Sequence, residues 1–409
     1  MDSDTTIDEE GLPDEAELIT VCGGSVIIDQ DSGVIRLVHY TTQEYFERHR
    51  SKIFPTAQAG ISSACIRYLS LGDFKHGPCT TNFDLENRLN NFKLIEYAAH
   101  NWAKHAYGDL DEAIEEQAVQ FLSNRSLLSS AVQAMWMYAY RHGVNRYQKY
   151  PKGVSGIAFA ALFGLTSLID KLLRLGNDID ESSSHERTAL HEASARGHED
   201  TLRLLLESGA NLEVKEYRGL TALSLAAMGG LEANVQLLLN AGASIDTKDR
   251  CRVTALFWAA QKNHSTVAQP LLENGAGIEV KDSDGKTALF EAAHDGRAAI
   301  VELLLNNGAN GEAMDLDGMG ALFWAAENRH DAVVQLLLQN GVDTNEQDRD
   351  AIISMLVAAQ NGDEAAVRML LENGIEAGDQ NAMTAVFLAA RSGHGDRKST
   401  RLNSSHRLY

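Results

Sequence analysis

Thr188-Ala-Leu-His-Glu-Ala-Ser194 returns along the chain at a constant interval. Its relatives are Thr221-Ala-Leu-Ser-Leu-Ala-Ala227, Thr254-Ala-Leu-Phe-Trp-Ala-Ala260 and Thr287-Ala-Leu-Phe-Glu-Ala-Ala293, each beginning 33 residues after the last. The register extends to Ser155-Gly-Ile-Ala-Phe-Ala-Ala161, Gly320-Ala-Leu-Phe-Trp-Ala-Ala326 and Ile353-Ser-Met-Leu-Val-Ala-Ala359, and a last copy begins early, at Thr384. A fixed period of this length predicts a stack of repeated units.

Each position of the repeat has a physical reason. The Thr hydroxyl can cap a first helix, and the second helix carries apolar runs such as Leu204-Leu-Leu206, which one repeat cannot bury alone. Glycines are predicted to end the first helix in a left-handed conformation at Gly164, Gly197, Gly230, Gly296, Gly362 and Gly393. The second helix is predicted to end at Gly176, Gly209, Gly242, Gly275, Gly308, Gly341 and Gly374. An acid is predicted in the turn between repeats at Asp249, Asp282, Asp315, Asp348 and Asp379.

This pattern resembles the ankyrin repeat over roughly Gly153 to His394. The resemblance implies a mainly α fold: a right-handed solenoid of about eight repeats, the last one truncated, after a helical linker and a partial winged helix. It also implies that the chain binds another macromolecule and is not an enzyme.

The candidate binding residues follow from the same resemblance, because ankyrin proteins usually contact ligands through the hairpin tips and the exposed end of the first helix. That register gives Tyr217, Arg218, Met228, Arg250, Gln261, Lys262, Asp284, His294, Asp295, Asp317, Met319, Glu327 and Asn328, with Trp258 and Trp324 on the adjoining inner helices. Two equivalent tryptophans with charged neighbours have the composition of interface anchors with a polar rim. Simple packing between repeats is the alternative.

Composition limits the class of binding partner and the cellular compartment that we expect. A net charge of −21 over 409 residues argues against nucleic acid or an anionic membrane, because such binding needs Lys and Arg. No run of 18 apolar residues occurs, and the N-terminus is acidic where a signal peptide would be basic and then apolar. The four cysteines, Cys22, Cys65, Cys79 and Cys251, are scattered and form no metal-ligand spacing. We therefore expect a cytoplasmic monomer, with the nucleus left open, whose partner is a protein of unknown identity.

Residues 14–50 are predicted to form the back half of a winged helix. Glu15–Cys22 is predicted as a helix, Ser25–Ile28 and Val34–Val38 as two short strands, and a further helix begins at Thr42.

The segment Arg36-Leu-Val-His-Tyr-Thr-Thr-Gln-Glu-Tyr-Phe46 resembles the winged helix of fungal NACHT and ankyrin receptors, also catalogued as a GPI inositol-deacylase winged helix. In that family the matching histidine, here His39, faces the phosphate of a bound nucleotide. A partly buried structural histidine is the alternative, since no Walker A or Walker B segment precedes it in this sequence.

Residues 51–150 have helical spacing and are predicted as a linker that caps the repeats. One predicted core stripe is Leu94, Tyr97, Ala98, Asn101, Trp102 and His105; another is Ile114, Ala118, Phe121 and Leu122. The aromatic residues Trp136, Tyr138, Tyr140, Tyr147 and Tyr150 are predicted to pack at the N-terminal end of the stack.

Three apparent motifs are interpreted as structural, so no catalytic, cofactor-binding or metal-binding residue is predicted. Gly285-Lys286-Thr287 ends like a P-loop, but Val280 replaces the first glycine. Asp282 and Asp284 suggest a calcium loop, but the other ligands are missing. The histidines that recur after the first helix are interpreted as part of the repeat and not as catalytic bases or ligands: His198, His264, His330 and His394.

The predicted domain order is an acidic disordered leader (1–13), the partial winged helix (14–50), the helical linker (51–150), the ankyrin repeats (151–395) and a tail (396–409). The tail interrupts the last repeat after Gly395, and its letters resemble a translated sequencing adapter, so we interpret it as non-native.

Three functions are compatible with these features. The favoured one is a protein-interaction scaffold, the recognition arm of a receptor-like protein without its own NTPase. The second is a truncated gene model of a NACHT signalling ATPase. The third, DNA binding by the winged helix, is disfavoured by the acidic charge.

Overall fold

The computed structural model describes residues 26–29, 34–37, 57–106, 110–137, 150–342 and 349–373. Several predictions lie outside these residues: the leader 1–13, the helices flanking the strands, His39, Tyr138, Tyr140, Tyr147, Asp348, Gly374, Asp379, Gly393, the repeat from Thr384, and the tail 396–409. Within the described residues no helix is both long and apolar enough to cross a membrane.

The chain forms two units, residues 1–185 and 186–409. The first begins with strands β1 (Val26–Asp29) and β2 (Val34–Leu37), and its helices are α1 (Ala57–Leu69), α2 (Asn82–Asn91), α3 (Ile95–His105), α4 (Glu112–Ser123), α5 (Arg125–Met137), α6 (Gly156–Leu162) and α7 (Thr166–Arg174). The helices of the second unit are α8 (Ala189–Arg196), α9 (Glu199–Glu207), α10 (Ala222–Met228), α11 (Glu232–Asn240), α12 (Ala255–Gln261), α13 (Ser265–Glu273), α14 (Ala288–His294), α15 (Ala298–Asn306), α16 (Ala321–Glu327), α17 (Asp331–Gln339), α18 (Arg349–Asn361) and α19 (Glu364–Glu372). The domain ranges given above stay predictions.

The predicted strand pair is present. β1 and β2 pair antiparallel, with Val26 opposite Leu37 and Asp29 opposite Val34. Each strand lies within one residue of its predicted bounds, because short runs of β-branched residues on either side of polar turn residues favour a hairpin.

The first unit is organised around Trp102, which is fully buried. Its indole stacks on Phe159 of α6, with 5.7 Å between ring centroids, and meets Phe121 of α4 edge to face at 5.5 Å. Helix α4 packs against both α6 and α7, and Lys171 of α7 pairs with Glu115 of α4. Helices outside the periodic pattern therefore bury one side of the first periodic helix pair.

One predicted core stripe is confirmed only in part: Ala98 and Trp102 are buried, but other members lie one position away from the buried face. Leu94 is 60% exposed and Tyr97 is 49% exposed. The buried face of α3 instead carries Ile95, Ala98, Ala99, Trp102 and Ala103. Alanines allow the close approach of α1 and α5 that a large side chain would prevent, and spacing alone does not distinguish two stripes one residue apart. The second stripe, on α4, is buried as predicted.

In the second unit, five of the six described helix pairs repeat the predicted design. The side-chain oxygens of Thr221 and Thr254 accept the backbone N–H three residues on, at 3.3 Å and 3.5 Å, and so cap the first helices. The predicted glycines that lie within the described residues of both units have positive φ: Gly164, Gly176, Gly197, Gly209, Gly230, Gly242, Gly275, Gly296, Gly308, Gly341 and Gly362. The glycine predictions are therefore confirmed at these positions, and the capping prediction is confirmed at Thr221 and Thr254 but not at Thr287, whose side chain makes no capping hydrogen bond.

The leucine runs of the second helices do not lie entirely in the core. The middle leucine of each run has no exposed surface, as at Leu205, Leu238 and Leu304. The flanking residues, such as Leu204 and Leu206, are half-buried, apart from Leu338, which is 7% exposed. Consecutive residues on a helix point about 100° apart, so only one of three can face the neighbouring helices fully.

The recurring histidines are structural, as predicted, at the two positions where their packing is clear. A Cβ on Gly230 would lie 2.6 Å from Nδ1 of His264, and one on Gly296 would lie 2.6 Å from Nδ1 of His330. Each imidazole therefore packs directly on the glycine of the preceding repeat. His330 Nε2 also lies 3.0 Å from the carbonyl oxygen of His294.

A ladder of acids links consecutive repeats. Glu213 accepts the backbone N–H of Ser244 at 2.8 Å, and Asp246 accepts that of Gly277 at 2.9 Å. Glu279 accepts the backbone N–H of Asn310 in the same way, and in each case the donor lies 31 residues after the acid. Part of the strong negative charge is thus used in joining the repeats.

The last described helix pair departs from the pattern. Helix α18 has 13 residues, whereas α16 has 7. It runs through Ile353, the position where other repeats place the capping Thr. Ile has no side-chain oxygen to satisfy a helix N-terminus, so the start predicted there is wrong.

Candidate interaction surface

The hairpin tips between repeats are built on an acidic residue. Asp249 Oδ1 accepts the N–H of Cys251 at 2.8 Å and of Val253 at 2.9 Å. The equivalent residues Glu216, Asp282 and Asp315 make the same two bonds, to the residues two and four positions on. Such local side-chain bonds hold a tight turn, which explains why an acid recurs at this position.

Backbone hydrogen bonds join each tip to the next. Arg250 N–H donates to the carbonyl of Arg218 at 3.0 Å, and Ser283 N–H donates to that of Cys251 at 3.0 Å. Leu316 N–H likewise donates to the carbonyl oxygen of Asp284 at 3.1 Å. The tips from residue 216 to residue 319 therefore form one hydrogen-bonded row.

Trp258 is half-buried and tied to its own repeat. Its Nε1 donates to Asp249 Oδ2 at 3.3 Å. The guanidinium of Arg218 lies 5.7 Å from the ring centroid, and Nζ of Lys262 lies 6.0 Å from it. These distances suit cation–π contacts, so the ring is held by one hydrogen bond and two cations.

Trp324 repeats this arrangement 66 residues later. Its Nε1 donates to Asp315 Oδ2 at 3.2 Å, and Nζ of Lys286 lies 4.7 Å from the ring centroid. The His294 ring meets it edge to face at 5.4 Å. His294 in turn contacts Asp295, with 2.9 Å between Nδ1 and Oδ1.

None of the fifteen candidate residues is buried. Exposed are Tyr217, Arg218, Arg250, Lys262, Asp284, Asp317, Glu327 and Asn328. Half-buried are Met228, Trp258, Gln261, His294, Asp295, Met319 and Trp324. We call these fifteen residues the tip surface. The structure brings Arg218 and Lys262 to Trp258, and His294 to Trp324.

Sequence reasoning missed three residues beside the tip surface. Leu316 is 77% exposed at its tip. Glu291 lies between the tryptophans, where Gln261 Nε2 donates to its Oε2 at 3.4 Å. Arg252 is exposed with a φ of 65°. The 33-residue register could have found Leu316 and Arg252, since they align with the tip residues Tyr217 and Gly219.

No metal site is evident in the described part of the chain. No group of three or more His, Cys, Asp or Glu residues there could hold a metal ion. A cavity of about 280 Å³ lies between α1 and α4, lined by Ser63, Arg67, Glu116 and other polar residues. It lies in the first unit, and none of the predicted site residues lines it.

The repeat region matches a known protein family. Residues 157–249 and 256–348 each match the family model described as ankyrin repeats (3 copies). These segments are ankyrin repeats. No curated protein matches the chain. With the helix pairs above, the match confirms a mainly α ankyrin solenoid, while the resemblance of residues 36–46 to NACHT receptors stays a hypothesis.

The charge of the ankyrin tips changes sign along the second unit. Arg218, Arg250 and Arg252 are exposed on the tips that contain Glu216 and Asp249. Asp284 and Asp317 are exposed on the next two tips. One end of the row is thus basic in an otherwise acidic protein.

Proposed function

We propose that this chain is the recognition arm of a receptor-like protein and binds a protein partner through the tip surface. Ankyrin repeats support a protein-interaction scaffold. The observation that carries the proposal is the repeated setting of Trp258 and Trp324. Each indole is half-buried, fixed by an aspartate of its own turn, and approached by a cation.

Preorganisation supports this use of the surface. The tip row is joined by backbone hydrogen bonds, so little backbone order would have to be gained on binding. Large aromatic side chains beside exposed polar groups are the composition of binding hot spots.

The experiment begins with the full chain as bait, identification of the captured protein by mass spectrometry, and titration of that protein in purified form. Trp258→Ala and Trp324→Ala are each expected to weaken binding about thirtyfold, which is about 2 kcal/mol. Trp258→Phe is the matched control, since it keeps an aromatic ring but loses the hydrogen bond to Asp249. We expect it to bind more tightly than the alanine variant.

Thermal melting separates binding from packing. If the alanine variants melt at lower temperature while their affinity survives, the tryptophans are packing residues. In that case, the interface would have to be sought at the tips alone.

The receptor-like context rests on residues 36–46 and the hairpin of β1 and β2. Genomic sequence upstream of Met1 tests it. An in-frame P-loop there would make the parent protein a NACHT-type ATPase, the second hypothesis, and not an adaptor without an NTPase.

A further inference from the structure

Four cations lie on two consecutive tips or beside Trp258, which follows the second of those tips in sequence. Arg218 and Lys262 lie over its ring, at 5.7 Å and 6.0 Å from the centroid. Arg250 lies on the next tip, its N–H bonded to the carbonyl of Arg218, and Arg252 follows on the same tip. All four are exposed. We call them the basic cluster.

No ion pair involves the basic cluster among the residues that the structure describes. The two acids closest in sequence are engaged elsewhere: Glu216 is buried and accepts two backbone N–H groups, and Asp249 accepts two more together with the Trp258 indole. Other arginines do have carboxylate partners, as in the pairs Arg187–Glu192, Arg297–Asp295 and Arg368–Glu364. Four exposed cations without a direct ion pair are unexpected in a chain of net charge −21.

Arg252 also occupies a strained backbone position. Its φ is 65°, and the equivalent residues of three other tips are glycines: Gly219, Gly285 and Gly318. A left-handed conformation is unfavourable for a residue with a Cβ. Such strain concentrates at functional sites, and here it places a third guanidinium on the two basic tips.

We propose that the basic cluster docks an acidic segment of a partner protein, an extended stretch rich in Asp and Glu. This deepens the proposed function and rests on it. Charge complementarity selects the occupant, because exposed guanidinium groups bind carboxylates through charge-assisted hydrogen bonds. The acids on the following tips, Asp284 and Asp317, repel such a segment and fix the end of the row at which it binds.

Fluorescence anisotropy of the full chain tests the proposal. The probe is a fluorescein-labelled peptide of ten alternating Glu and Ser residues at about 50 mM salt, a concentration at which surface charge is weakly screened. The same peptide with Lys in place of Glu is the control probe. We expect saturable binding of the acidic peptide only, weakening several-fold at about 200 mM salt.

Matched variants locate the site. Arg218→Glu with Arg252→Glu is expected to lower affinity for the acidic peptide at least tenfold, whereas Arg218→Lys with Arg252→Lys keeps the charge and most of the binding. Arg203→Glu with Arg368→Glu reverses two exposed charges on second helices and is expected to change affinity less than twofold. Circular dichroism checks that each variant is folded.

Three outcomes would overturn the proposal. They are no saturable binding, equal loss in the second-helix control, and tighter binding of a ten-nucleotide single-stranded DNA that competes at the same arginines. The proposed function is judged separately. If substitution of Trp324 weakens binding of the captured partner but substitution of Arg218 and Arg252 does not, the tip surface is an interface. The proposal that it docks an acidic segment is then wrong.

Discussion

At the residue scale, equivalent positions of the repeat carry different chemistry. His191 occupies a position that is Ser224 in the next repeat and Phe257 and Phe290 in the two after it. Its Nδ1 accepts the N–H of Thr188 at 3.1 Å, and its Nε2 lies 3.1 Å from the carbonyl oxygen of Val214. These contacts require a neutral ring protonated on Nε2.

Burial, helped by the charge of Arg187, lowers the pKa of His191 from 6.5 to about 4. Between pH 6.5 and about pH 4, His191 is therefore protonated in the unfolded chain but neutral in the folded chain. The stability contribution of the neutral ring is complete above pH 6.5 and is lost progressively down to about pH 4, by up to about 3 kcal/mol.

Urea unfolding between pH 7 and pH 4 measures this loss, with His191→Phe as the control because Phe257 and Phe290 fill the same position. Burial raises the pKa of Glu192 beside it, which acts in the opposite direction. The difference between the two proteins isolates the histidine. Equal pH slopes would show that His191 is not responsible.

Arg252 gives a second prediction at this scale. Arg252→Gly relieves a left-handed backbone and is expected to raise the free energy of unfolding by about 1 kcal/mol, since glycine's entropy cost offsets part of the relief. Arg250→Gly removes the same charge at a residue without positive φ and is expected to lower stability instead. Denaturant unfolding of both variants measures these changes in the free energy of unfolding. If both substitutions stabilise the protein, the cause is charge repulsion within the basic cluster and not backbone strain.

At the element scale, α13 is the exception among the second helices. Pro270 lies inside it and is buried, where the equivalent residues are Leu204, Leu237, Leu303 and Leu336. Proline has no N–H, so the carbonyl of Thr266 lacks its donor within the helix. The helix nevertheless stays continuous, because the neighbouring repeats pack against it.

We expect the stack to open first near residues 262–275. Pro270→Leu restores the repeat's own residue and is expected to stabilise the protein by up to about 3 kcal/mol. Native-state hydrogen exchange should be fastest in this segment among the internal repeats and should slow in the variant. Leu303→Pro is the reciprocal control and should move the weak point to α15. Uniform protection across the repeats would contradict the prediction.

At the scale of the whole molecule, net charge is a poor guide to the local surface. Many carboxylates are committed to structure, in the ladder of Glu213, Asp246 and Glu279 and in the turns. The net charge of −21 argues against general affinity for nucleic acid, yet the basic cluster persists at one end of the tip row. Only the positions of the remaining free charges tell which partner a surface can attract.

The repeat, its 33-residue register, the caps at Thr221 and Thr254, the turns and most helix pairs could be predicted from the sequence, because each depends on residues close together in the chain. Tertiary structure decided what local spacing leaves open. It chose the alanine face of α3 over Leu94 and Tyr97, and it left only the middle leucine of each run without exposed surface. It also brought Arg218 to the ring of Trp258, 40 residues later in the chain, since these side chains meet only when separate repeats stack.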